Sequence, residues 1–136
     1  MSVFATSSPR FSHVIKYEFE PSLGLCRDAV TFNDTAQTLK VGTVLGKVTA
    51  TGKYRLALSA SADGSQNPVA VYIADGLGVS HDLVVAGATD TPIVALTRGY
   101  AIVSASNLIL GTGITLNAVT TAFKALNAPI FVEATV

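Results

Sequence analysis

His81 stands beside Asp82, and with a serine the two could be drawn as a nucleophile, base and acid set. The chain holds no G-x-S-x-G elbow to present such a serine, so an ordinary polar loop residue is the better reading of His81. The other histidine, His13, and the single cysteine, Cys26, complete no H-x-x-x-H or C-x-x-C spacing. No metal, no cofactor and no intrachain disulfide are therefore expected. Asp63, Asp75, Asp82 and Asp90 each stand in an expected turn beside Gly, Ser or Thr, where turn chemistry accounts for them. Gly46–Lys53, GKVTATGK, has five residues between its glycines where a phosphate loop has four. Tyr54 follows where a Mg²⁺-binding Ser or Thr would stand. These residues support no catalytic set, and the chain reads as a non-enzyme.

The elements around them are short strands and turns. Residues 1–10 read as a leader. From Phe11 to Glu20 the odd positions are Phe11, His13, Ile15, Tyr17 and Phe19, and the even ones are mostly polar. Period two in an aromatic and β-branched run predicts a strand with one apolar face. Pro21 stops it, and 21–24 reads as a hinge. We therefore divide the chain into an extended N-terminal arm with its hinge, 1–24, and a β-rich domain, 25–136. The arm's strand has two readings. It packs into its own domain, or its aromatic face and free main-chain groups dock on another protein.

Within the domain, strands are expected over 28–32, 39–48, 54–58, 68–74, 83–86, 93–103, bent at Arg98-Gly99, and 130–136. Gly42 and Gly46 interrupt the second, and Thr51-Gly52-Lys53 turns after it. Gly42, Gly46 and Gly52 are expected where φ is positive or another backbone comes close. Ala62-Asp63-Gly64-Ser65 is a strong turn signal. One helix is expected, with Asn117 as N-cap, apolar residues at 119, 122, 123 and 126, and Asn127 in the left-handed conformation at its end. The sum is a mainly β fold, a small barrel with one short C-terminal helix.

Nine basic residues balance nine acidic ones, which argues against nucleic acid or a polybasic membrane contact as the partner. Charged residues make up 13% of the 136, about half the usual ~25%. Mean hydropathy is +0.49. A small chain with so few charges is expected to bury surface in an assembly. The uncharged run 99–123 is broken by Ser, Asn, Gly and Thr and is not a transmembrane pattern. The start of the chain carries no basic and apolar signal pattern, so synthesis in the cytoplasm is expected.

Residues 25–75 carry an ordered pattern: LCRDAVTF, then QTLKVGTVLGKVTATGKY, then ASADGSQNPVAVYIAD. It resembles the lambda-type head decoration proteins of tailed bacteriophages. TRGYA at 97–101 and TTAFKALNAPIFVE at 120–133 are similar to later parts of that family. The resemblance implies a β-tulip-like barrel that forms a homotrimer on the exterior of the virion. It implies binding to the major capsid protein at three-fold sites, as a cement against internal DNA pressure. It also implies an N-terminal arm that adds a strand to a capsid sheet, and the alternating run offers Phe11, His13, Ile15, Tyr17 and Phe19 as the docking face. The alternative is a biotinyl- or lipoyl-like carrier domain, since GTVLGKV resembles a barrel-sandwich strand and Lys53 sits in a turn. No Met-Lys-Met or Asp-Lys-Ala sequence surrounds Lys53.

Overall fold

A computed structural model describes residues 14–19 and 26–133. Its strands are β1 (Ile15–Glu18), β2 (Arg27–Phe32), β3 (Gln37–Leu39), β4 (Val44–Lys47), β5 (Tyr54–Leu56), β6 (Pro68–Asp75), β7 (Leu83–Val85), β8 (Thr91–Leu96), β9 (Ala101–Ser104) and β10 (Ile130–Glu133). A C-terminal α-helix, α1, spans Leu116–Lys124.

Five strands pair in the cyclic order β2-β5-β4-β6-β8. The ladders are antiparallel except where β2 meets β5, and that seam is the single parallel pair Phe32–Tyr54. Register shifts at Leu45/Gly46 and at Tyr72/Ala74 bend the strands, as a tight ring requires. β3 and β7 form a separate antiparallel pair. The third sheet has the order β1-β9-β10, with β1 antiparallel and β10 parallel to β9.

β6 reads PVAVYIAD because it is buried on both faces, with α1 packed against it. Its proline takes the first position, where a missing N–H costs least. Tyr72, Phe32, Phe123, Leu39 and Leu45 are the bulkiest fully buried side chains. Val119 and Phe123, four apart, form the buried stripe of α1.

Several expectations shift. The run expected over 39–48 is two strands parted by the turn at Gly42, whose φ is +102°. The run expected over 93–103 is also two, parted at Thr97–Tyr100. The helix N-cap is Thr115, not Asn117: the Thr115 hydroxyl accepts from the Ala118 N–H at 3.1 Å. The helix closes at Ala125 in a right-handed conformation, with its N–H reaching the Thr121 and Ala122 carbonyls. Asn127 has no positive φ; Ala88 is the non-glycine residue that does among the described residues.

The face of β1 also reverses. Val14 and Glu18 are buried, while Tyr17 and Phe19 are 52% and 45% exposed. A bulge between Ile15 and Tyr17 breaks strict alternation, and Arg27 neutralises the inward Glu18.

Gly52 has φ +74°, and a side chain there would meet little besides the Lys47 stem at 3.8 Å. Its requirement is conformational. Gly52→Val should therefore cost about 1–2 kcal/mol, the left-handed penalty for a β-branched residue. Thermal denaturation checks this, and an unchanged midpoint would show that the turn relaxes freely.

Candidate functional site

The N-terminal strand is built into the domain from one side. Its ladder to β9 pairs Ile15 with Val103, Tyr17 with Ile102 and Glu18 with Ala101. The Phe19 N–H continues the ladder by donating to the Tyr100 carbonyl at 2.8 Å. Glu18 then fixes β1 to β2. Arg27 Nε and Nη2 each donate to one of its carboxylate oxygens at 2.7 Å. The Glu18 side chain is 4% exposed and that of Arg27 25%, so this two-pronged pair is largely out of water. The expected arm, 1–24, thus contains a strand that the domain itself holds.

On its other side β1 has no strand partner among the described residues. The exposed side chains along β1 are Lys16 and Tyr17, followed by Phe19. Tyr17 and Phe19 stand half exposed, and Tyr100, which sequence reasoning does not single out, is 57% exposed across the β9 ladder from Phe19. Ile15 is half-buried and packs against the core. Phe11 and His13, named with these as docking residues, fall outside the described residues, as does the hinge 21–24. Beneath the patch, the Cys26 thiol lies 3.7 Å from the carbonyls of both Phe19 and Tyr100. Burial pushes its pKa up, which keeps it a thiol and unreactive.

The other singled-out residues serve turns. Asp63 accepts from the Ser65 N–H at 3.0 Å and from its hydroxyl. That hydroxyl contact holds its carboxyl below the ordinary range. Gly64 follows with φ +103°. At Gly46 the Ser65 carbonyl stands 1.8 Å from where a Cβ would be, so that turn is seated on bare backbone.

The loop that resembles a phosphate cradle spends its amides internally. Val48 N–H donates to the Lys53 carbonyl, Thr49 N–H to Asp63 and Gly52 N–H to Val48. Lys53 pairs with Asp90 at 2.9 Å, and Asn33 also donates to Asp90 at 2.7 Å. Those bonds, that of Asn33 foremost, hold the Asp90 carboxyl below its ordinary range.

Sequence reasoning misses one ionic cluster. Arg55 bridges Asp34, at 2.9 Å, and Asp63, at 3.2 Å. Asp34 also accepts from the Leu56 and Thr35 N–H groups. It thereby ties the loop after β2 to β5 beside the ring's seam. Its only sequence signal is the polar turn Asn33-Asp34-Thr35.

No group of three or more His, Cys, Asp or Glu that could hold a metal is present among the described residues. The class so defined is a mainly β module with one C-terminal helix. The sequence model of a family described as bacteriophage lambda head decoration protein D matches residues 5–130. The chain belongs to that family, whose members are structural proteins of the phage head. No curated protein and no solved structure matches the chain.

Proposed function

We propose that this protein is a cement. As a β-tulip-like homotrimer it sits on the exterior of a tailed-phage capsid at three-fold sites, binds the major capsid protein, and stiffens the shell against the pressure of packaged DNA. Its N-terminal stretch docks on neighbouring subunits by strand addition. The observation that carries this reading is the outer edge of β1. That edge offers main-chain groups without a strand partner among the described residues, flanked by Tyr17 and Phe19. Hydrogen bonds along a strand supply affinity, while the aromatic side chains fill pockets and fix register.

The structure separates two truncations. Removing residues 1–13 leaves β1 and the Glu18–Arg27 pair in place. Removing 1–20 deletes both and exposes the β9 edge. The 1–13 deletion should remain folded and trimeric by light scattering, and with Tyr17→Asp and Phe19→Asp added to remove the aromatic edge it should lose most of its binding to undecorated heads in a cosedimentation assay. Full-strength binding by that folded protein would defeat the docking role. A folded monomer would defeat the trimer. The 1–20 deletion should lose stability itself, so its failure to bind would be uninformative about docking.

A further inference from the structure

The loop after β6 is held by one imidazole placed between two acceptors. His81 Nε2 lies 2.7 Å from Asp75 Oδ2, and His81 Nδ1 meets the main-chain carbonyl of Asp82. The other oxygen of Asp75, Oδ1, accepts from the N–H groups of Leu77 and Val79, at 2.9 and 3.0 Å. The carboxylate is thus the hub of the loop, and the imidazole pins the hub to the start of β7. The main chain of His81 is held separately, by the Tyr72 hydroxyl donating to its carbonyl at 2.8 Å.

A carbonyl has no proton to give, and an ionised carboxylate has none either. Both ring nitrogens must therefore donate. A neutral imidazole carries a single N–H and can satisfy one of the two acceptors. We propose that His81 is a proton-operated latch on the loop from Asp75 to Asp82, shut when the ring carries both protons and released from one of its two anchors when it loses one. The loop presents Leu77 and Val79, 90% and 55% exposed, so the latch sets how rigidly the most exposed large apolar side chain of the described domain is offered.

The charged and titratable groups that bear on the ring are few. Asp75 comes from the end of β6, Asp82 from the loop itself, and Tyr72 from β6 beneath it. Lys40 stands one step beyond the Leu39–Leu83 pair of the β3–β7 ladder, across from Asp82. The directions of titration agree with the geometry. The bond from Asp75 raises the His81 pKa above its ordinary 6.5, and the bond from His81 holds Asp75 below its ordinary 3.8. A raised histidine pKa stabilises the closed loop fully below the unfolded value and loses that stabilisation as pH rises through the folded one. A depressed aspartate pKa stabilises it above the unfolded value and loses that as pH falls through the folded one. The latch is thus fully shut between the two unfolded values, 3.8 and 6.5, and opens above the folded pKa of His81. This inference does not rest on the capsid reading.

The test is an NMR titration of the intact wild-type protein between about pH 5 and 9, where an imidazole changes charge. Ring carbon and nitrogen shifts report His81, and amide shifts and exchange report residues 76–83. The ring midpoint should lie above 6.5, and the loop amides should move with the same midpoint. Each unit above 6.5 means an about tenfold preference of the protonated ring for the closed loop. Asp75→Asn should bring the ring midpoint down and uncouple the loop from it. A wild-type midpoint at or below 6.5, or loop amides that ignore the titration of His81, would overturn the proposal. The wild-type titration decides it even where Asp75→Asn does not fold.

Discussion

Gly46→Ala is expected to lower stability by about 3 kcal/mol or more, the far end of what single substitutions do. The added methyl would fall 1.8 Å from the Ser65 carbonyl oxygen and 2.6 Å from its Cα. Neither is a side chain that can rotate away. Gly46 also sits where the β4–β6 register shifts, opposite Pro68, and pairs with Arg55 on its other side. The 62–67 turn cannot retreat without pulling β6 from the ring. Gly78→Ala is the control. Its φ is positive, +85°, which that of Gly46 is not, but its Cβ would meet nothing within 4 Å, so it should cost only about 1 kcal/mol of backbone strain. Chemical denaturation of both variants measures the gap. A Gly46→Ala protein as stable as the Gly78→Ala one would show that the Ser65 backbone is free to move.

Arg27→Ala should cost about 2–4 kcal/mol, since it strands a buried carboxylate, with Arg27's partial exposure placing it toward the lower end of the effect. Arg98→Ala removes a superficially similar pair, Arg98 with Asp28, whose side chains are 45% and 41% exposed. That loss should stay within about 1 kcal/mol, as for most exposed pairs. Replacing Glu18 and Arg27 together by methionine should restore most of the stability, because two matched apolar side chains leave no orphaned charge. Equilibrium unfolding of the four proteins gives the comparison. Equal losses for Arg27→Ala and Arg98→Ala would mean that water reaches Glu18.

The difference between these pairs shows what the amino-acid string can express. The alternating run at 11–20 announces a strand, and Ile15–Glu18 is one. Its inward face is not legible, because the bulge after Ile15 is a property of the β9 ladder. The partner that makes an inward Glu18 tolerable, Arg27, stands nine residues further on, beyond Pro21. PVAVYIAD is readable because burial on both faces demands an unbroken apolar run. Helix α1 is readable from its stripe but not its first residue: Thr115 and Asn117 are both competent caps, and the fold decides which one ends the preceding turn. The split of 39–48 is half legible, since Gly42 marks a break without saying that the chain changes sheets there. Tyr100 is invisible as a surface residue because its exposure depends on where β9 begins. The family pattern in 25–75 is legible because it rests on turn residues in order, and turns are where local chemistry dictates shape.

The placing of β9 between β1 and β10 has a mechanical consequence. β1 runs against β9 and β10 runs with it, so Ile15 and Val132 both flank Val103. Tension drawn through the N-terminal side of β1, along its axis, pulls its rungs in shear. All of them share the load at once, and the clamp from Glu18 to Arg27 lies at the far end of the strand, where slippage would have to pass it. A load directed across the strand would instead open the rungs one after another from Ile15. The same short ladder is thus stiff along one direction and yielding along another, and on the proposed cement reading a swelling shell would be resisted only where its subunits draw β1 lengthwise.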